Sequence, residues 1–289
     1  MGFKIQTIQD IKAWFTGELK GFYPETEINA FINIILKKVG GSSKLNTLAF
    51  PETRLTTKQS RDIMSICRQL RTGKPIQYIL GETSFYNLII KVNNHTLIPR
   101  PETEELVDHI IKENKGFRGT IVDAGTGTGC IAISLAVNLP GVLVSGFDIS
   151  EDAITTAKEN ARINNAHVSF FKTDILNPDL YLFSKADILV SNPPYVTESE
   201  KRLMNRNVLD FEPHTALFVP DNDPLVFYRA LINLAELILV PEGRVYFEIN
   251  ETMGSSLLKL LDSNGYLRAE IIKDINGKDR IIKGTRHGW

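Results

Sequence analysis

Cysteine is scarce in this chain. Its 289 residues hold only Cys67 and Cys130, each flanked by apolar or helix-forming residues. That pattern suits two buried thiols in a reducing cytosol, and neither a disulfide nor a metal site is expected. Long apolar runs are missing as well: none approaches the ~20 residues needed to span a bilayer. The start, Met1 to Gln6, has no apolar stretch of the secretory kind, so a soluble, cytoplasmic protein is expected. Net charge is nearly absent, at −1, and no global field drives the chain onto nucleic acid or membrane. The charge is unevenly spread, however. Residues 1–80 carry 12 Lys+Arg against 6 Asp+Glu, a local surplus of +6 that leaves −7 on the remainder. An anionic partner for the front module is one reading, and chance asymmetry on a solvated surface is the other.

With 43% hydrophobic and 23% charged residues, the chain is long enough for two domains. Residues 1–80 read as a small helical bundle, a recognition or docking module. Ile28 to Leu36 carries apolar residues at helical spacing, with Lys37 and Lys38 in its last turn and Gly40-Gly41 as its stop. A second helix spans Thr57 to Leu70, with Ile63, Ile66, Cys67 and Leu70 on one face. Pro24 and Pro51 mark breaks. Residues 81–100 read as a connector: Phe85 to Val92 suggests a short hairpin around Asn87, and Pro99-Arg100-Pro101 makes a rigid bend into a helix that opens with acids. Residues 101–289 alternate. Strands are expected at Thr120–Ala124, Leu143–Phe147, Val168–Phe171, Asp187–Val190, Arg244–Glu248, Ala269–Lys273 and Arg280–Lys283. Helices are expected at Cys130–Asn138, Glu151–Ile163, Pro224–Leu239 and Ser255–Asn264. The alternation predicts an α/β fold with a doubly wound, mainly parallel, Rossmann-like sheet.

The first strand runs into Asp123-Ala124-Gly125-Thr126-Gly127-Thr128-Gly129, and a helix follows. The glycines permit a tight turn and close approach of backbone to ligand. Asp148 ends the next strand, 23 positions beyond Gly125, where an acid accepts hydrogen bonds from ribose hydroxyls. Strand, glycine turn, helix, strand, acid: a nucleoside cofactor is expected across these strand ends, on Gly125, Thr126, Gly127, Thr128, Gly129 and Asp148. The dinucleotide pattern G-x-G-x-x-G aims a helix at a pyrophosphate. Here the spacing is G-x-G-x-G, with Asp123 beside it. An acid there disfavours phosphate and favours a cation, so S-adenosyl-L-methionine fits better than a nicotinamide dinucleotide. Asp123 equally suits a backbone-capping role. Asp174, after the third strand, is placed to bond the adenine amino group or to make an Asx turn.

The chain leaves the strand before Asn192-Pro193-Pro194-Tyr195 as a stiff loop, because two prolines cannot continue a ladder. Asn192 Oδ1 and the Pro193 carbonyl each accept one N–H, and Tyr195 offers an aromatic face. Such a loop holds a planar group bearing an NH2, and Asn192 also borders the cofactor. In an open α/β sheet both loops face one crevice. No strong general base is needed, so packing or surface roles are expected for His109 and His214.

The combination resembles the S-adenosylmethionine-dependent methyltransferases of class I that act on planar NH2 groups. Within that class, Leu80-Gly81-Glu82, Leu97-Ile98-Pro99-Arg100-Pro101-Glu102-Thr103-Glu104, the Asp123 to Gly129 loop, Ser191 to Tyr195 and Phe211-Glu212-Pro213 resemble the HemK/PrmC family of peptide chain release factor N5-glutamine methyltransferases. Asp210 and Ile175 depart from it, standing where the family has a basic residue and an aromatic one. The resemblance implies N5-methylation of the glutamine in the Gly-Gly-Gln motif of class 1 release factors, with a helical domain that grips the release factor. It implies catalytic roles for Asn192, Pro193 and Tyr195, and a substrate contact for Pro194. Arg100, Glu102 and Thr103 either cover the methionine end of the cofactor or stiffen the hinge. Glu212 either positions substrate or caps a turn. The rival reading is an N6-adenine or N4-cytosine nucleic-acid methyltransferase, which must flip its base and should add a basic recognition region; direct nucleic-acid binding is not expected of this acidic body.

Overall fold

The computed structural model describes residues 6–39 and 52–288. The expected stop at Gly40-Gly41 and break at Pro51 lie outside them. The chain forms two units. One comprises residues 1–80 together with Arg206–Phe211, and the other holds Gly81–Asn205 and everything from Glu212 onward.

The first unit is helical, with helices at Ile8–Leu19, Glu25–Val39, Thr57–Leu70 and Ile76–Leu80. Two begin in capping boxes. Thr7 accepts from Asp10 N while Asp10 accepts from Thr7 N, and Thr56 and Gln59 make the same exchange, which satisfies donors the helix itself leaves unpaired. Ile11, Phe15, Ile28, Ile35, Ile63 and Leu70 form its dry centre, each at most 2% exposed. The short helix Arg206–Phe211 belongs with this unit although it lies far along the sequence. It holds Asp210, which faces Arg206 at 3.5 Å on the surface.

The second unit opens with a hairpin of β1 (Glu82–Phe85) and β2 (Leu88–Lys91). Its two-residue turn, Tyr86-Asn87, has φ of +44° and +63°, the left-handed pair that matches strand twist. The hairpin is tied to this unit by Asn160, which accepts from Lys91 N at 2.7 Å and donates to Lys91 O at 3.0 Å. The sheet takes β3 (Thr120–Ala124), β4 (Leu143–Asp148), β5 (Val168–Lys172), β6 (Ala186–Ser191), β9 (Leu239–Glu248), β10 (Tyr266–Lys273) and β11 (Asp279–Arg286). Between β6 and β9, a two-strand pair is made by β7 (Val196–Thr197) and β8 (Phe218–Val219). The sheet order is β10-β11-β9-β6-β3-β4-β5. Pairing is parallel from β5 to β9, and β11 alone runs against its neighbours.

Both faces of the sheet are covered. Helices Val226–Ile238 and Gly254–Ser263 lie over Val122, Leu189, Val245 and Phe247. The alternating positions Ile121, Ile188, Val190 and Tyr246 point the other way and are also fully buried. On that side, helices Pro101–Glu113, Cys130–Asn138 and Glu151–Ile163 pack in succession. The doubly wound, mainly parallel sheet is therefore present, and its strand order reverses between β3 and β6. Such a switch point opens a crevice at the carboxyl ends of the two strands.

Candidate active site

β3 ends at Ala124, and the chain turns through Gly125, Gly127 and Gly129 with φ of +68°, +53° and +78°. Side chains with a Cβ avoid this region, so the glycines are required by the turn itself. The turn is fastened from below. Thr126 Oγ1 donates to Asp123 Oδ2 at 2.6 Å, and the Ala132 N–H donates to the same oxygen at 3.2 Å. Asp123 is fully buried and so does not face a cation in the cleft. Of its two expected roles, the geometry realises backbone capping. Its Oδ1 has no hydrogen-bond partner among the described residues, and burial pushes the carboxyl up to about 7. Thr126 and Thr128 are likewise buried. The Thr128 carbonyl accepts from Asn160 Nδ2 at 2.9 Å, so one asparagine joins hairpin and glycine loop.

Asp148 ends β4. Its Oδ2 accepts from Gly127 N and its Oδ1 from Ser150 N, both at 2.9 Å. Each oxygen keeps a lone pair for a hydroxyl. Burial raises its pKa, against the pull of the Ser150, Gly127 and Ile149 N–H groups. Asp174 makes the expected Asx turn, accepting from Leu176 N at 2.8 Å. Gly125, Gly127, Asp148 and Asp174 line one cleft of about 350 Å³ together with Ile149, Ile175, Leu176, Asn192 and Pro194. The space and chemistry suit a nucleoside: carboxylates for hydroxyl and amino groups, aliphatic side chains for a flat ring, and bare backbone at Gly127, where an added Cβ would meet nothing within 4 Å.

The acceptor loop leaves β6 directly beside the glycine loop. Ala124 is paired with Ser191, and Ser191 Oγ donates to the Ala124 carbonyl at 2.7 Å. Asn192 is therefore on the wall of the same cleft. It also lines a second, smaller space of about 50 Å³ with Leu97, Arg100, Pro193, Tyr195 and Ala216. The three residues expected to be catalytic thus share one small pocket, which has Leu97, Asn192 and Ala216 in common with the cleft.

Beneath this pocket lies one group the sequence did not single out, Glu248, bonded to one that it did, Thr103. Glu248, at the end of β9, is 1% exposed. Its Oε1 accepts from the Tyr195 hydroxyl at 3.0 Å and its Oε2 from Thr103 Oγ1 at 2.7 Å, and Thr103 Oγ1 accepts from Asn192 Nδ2 at 3.1 Å. Thr103 is itself 2% exposed, so it supports Asn192 from below and does not lie on the cleft surface. Burial raises the pKa of both Glu248 and Tyr195. Arg100 pairs with Glu212 at 2.6 Å, and Glu212 also accepts from Ile98 N at 3.1 Å, which pins the Pro99-Arg100-Pro101 bend. His109 does not line the cleft and lies beside Glu113 and the Tyr246 ring. His214 sits edge-on to Phe218. Cys67 and Cys130 are both free and buried, and burial pushes each thiol up to about 12. Among the described residues no helix is long and apolar enough to cross a membrane.

The sequence matches two protein families: Methyltransferase small domain over residues 101–210 and PrmC N-terminal domain over residues 10–81. A release factor glutamine methyltransferase of Flavobacterium psychrophilum is 44% identical over 280 residues, covering 96% of this chain and 98% of that protein. One from Bacteroides thetaiotaomicron is 43% identical, covering 96% and 99%. Among solved structures, the hMettl16 catalytic domain bound to a MAT2A 3'UTR hairpin is similar with a TM-score of 0.54 at 15% identity, over 81% of this chain and 83% of that one. A Pyrococcus furiosus methyltransferase gives 0.52 at 15% identity, over 80% and 100%. The two structural likenesses are of fold alone.

Proposed function

Because the chain belongs to the release factor glutamine methyltransferases, we propose that it transfers a methyl group to the side-chain amide nitrogen of the Gly-Gly-Gln glutamine in a class 1 release factor, in the cytoplasm. Its cofactor is S-adenosylmethionine, which supplies an electrophilic methyl on a sulfonium. The observation that carries the reading is the adjacency of the glycine loop and the Asn192 loop on neighbouring strand ends, with Asn192 shared between a nucleoside-sized cleft and a carboxamide-sized pocket.

An amide nitrogen is a poor nucleophile, because its lone pair is delocalised into the carbonyl. Asn192 Oδ1 and the Pro193 carbonyl each accept one of its N–H bonds. This orients the nitrogen and increases its electron density. Tyr195 packs on the amide plane, while Pro194 lines the cleft beside it. Asp148 would hold the ribose hydroxyls, and Asp174 would hold the adenine amino group. The residues of the site act by positioning, which supplies on the order of 7–11 kcal/mol in favourable cases. Since the proton leaves after the nitrogen has become cationic, no buried base is required.

Incubating the protein with methyl-labelled cofactor and either purified release factor or DNA, followed by mass spectrometry, tests the reading. Label on the Gly-Gly-Gln glutamine is expected. Label on a DNA base, or on no residue of the release factor, overturns it.

A further inference from the structure

The amide of Asn192 can be turned over without changing its shape, and the two orientations have opposite chemistry. With Oδ1 toward the small pocket, Asn192 accepts an N–H from the acceptor. With Nδ2 toward the pocket, it offers a donor to another donor and binding fails. Something must choose between them. Nothing in the Asn-Pro-Pro-Tyr segment does so. The choice is made by the chain of hydrogen bonds beneath it.

An ionised carboxylate only accepts. Glu248 is held by two hydroxyl donors, Thr103 on Oε2 and Tyr195 on Oε1. A hydroxyl has one proton, so Thr103, having given it to Glu248, is left able only to accept. The one group reaching it from the loop is Asn192 Nδ2. The polarity therefore runs one way, from Asn192 to Thr103 to Glu248. We propose that Glu248 and Thr103 are positioning residues for methyl transfer: Glu248, acting through Thr103, fixes Asn192 with its Oδ1 facing the acceptor amide. The inference rests on the assignment of Asn192 as the acceptor-binding group.

The same chain has a built-in reversal. If Glu248 takes up a proton on Oε2, it becomes a donor toward Thr103. Thr103 then gives its proton to Asn192, and the amide turns over. Burial favours that protonated form at Glu248 and so does the charge of Glu102; the Arg280 guanidinium and the two hydroxyls oppose it. Tyr228, whose hydroxyl donates to the Glu248 carbonyl at 2.9 Å, and the buried Cys130 stay neutral. The turnover rate at saturating cofactor should accordingly fall with one proton on the acid side.

Four proteins test this: wild type, Thr103→Val, Thr103→Ser and Glu248→Gln. Each is assayed on release factor for kcat and KM, for cofactor affinity by calorimetry and for melting temperature. Expected are a tenfold or greater loss of kcat in Thr103→Val with cofactor affinity within twofold of wild type, and recovery to within threefold in Thr103→Ser, which restores the hydroxyl. Glu248→Gln should lose the acid limb of the kcat–pH profile. A Thr103→Val enzyme within twofold of wild-type kcat overturns the proposal, and so does a Glu248→Gln enzyme that keeps the wild-type acid limb. Should Thr103→Val fail to fold, the Glu248→Gln profile decides. Wild-type protein that does not label the release factor glutamine sinks the underlying assignment instead, so the two failures are distinguishable.

Discussion

In the proposed mechanism Asn192 holds the acceptor and Asp148 the cofactor, so the two should fail differently. Asn192 lines both the cleft and the small pocket, and Thr103 holds its Nδ2 from below. Asn192→Ala should lower kcat by about 100-fold, the scale of a misplaced reacting group, while cofactor affinity weakens only modestly; normal turnover would remove it from the mechanism. Asp148 instead bonds Gly127 N and Ser150 N and faces the cleft with its remaining lone pairs. Asp148→Ala should raise the cofactor dissociation constant by tenfold or more in calorimetry. Asp123 is a third case, since its carboxyl acts on stability. Its pKa is lifted from 3.8 to about 7. Between those values the folded protein holds a proton that the unfolded chain has released, so stability falls as pH rises through the window. The contribution is fully present below about pH 4, and its loss by pH 8 is on the order of a few kcal/mol. Asp123→Asn abolishes this titration. Its melting temperature, relative to wild type, should climb between pH 5 and pH 8, and a constant difference would show that Asp123 does not titrate in the fold.

At the scale of the element, the glycine turn joins two separable requirements. A Cβ at Gly129 would lie 3.0 Å from Ile133 Cδ1 and Phe170 Cζ and 3.1 Å from Ala157 Cβ, while one at Gly127 would meet open space. Both positions have positive φ, so both substitutions carry backbone strain of about 1–2 kcal/mol. Gly129→Ala should add an overpacking cost of about 1–3 kcal/mol and show chiefly as a lower melting temperature. Gly127→Ala should show chiefly as lost cofactor affinity, because its methyl enters the cleft. Equal effects of the two on both measurements would refute the division. This turn was legible in the sequence because glycine spacing and a strand-end acid are local signals. So were the helices Thr57–Leu70, Cys130–Asn138 and Glu151–Ile163 and the strand Thr120–Ala124, whose ends the structure reproduces. Strand ends near backbone irregularities were not. β9 begins at Leu239 and runs through Pro241-Glu242-Gly243, with Glu242 at φ +62° and a register shift against β6, a stretch that reads as a turn. β10 starts at Tyr266 because Arg268, at φ +53°, bulges within it. The support of the acceptor loop was illegible for another reason. Thr103 reads as a cover for the methionine end of the cofactor or as part of a stiff hinge, and Glu248 as the last residue of a strand. They are 145 positions apart, and only the folded sheet brings them together.

The whole molecule pairs a nearly complete site with a basic helical unit. Every residue lining the cofactor cleft and the acceptor pocket comes from the second unit. Among the described residues the first unit lines neither space, yet residues 1–80 carry the charge surplus. In helix Thr57–Leu70, the apolar side chains of Ile63, Ile66, Cys67 and Leu70 are buried, and Lys58, Arg61 and Arg68 are exposed. Spacings of 3 and 7 set these three on one face. A cationic stripe of this kind steers an anionic surface toward it and weakens with salt. If that surface belongs to the release factor, reversing all three charges (Lys58→Glu, Arg61→Glu and Arg68→Glu together) should raise KM for the release factor several-fold at low ionic strength. The gap should close as salt is added. Cofactor affinity should not change, because none of the three residues borders the cleft. An unchanged KM at low salt would place the docking surface elsewhere and leave the charge asymmetry to solvation alone.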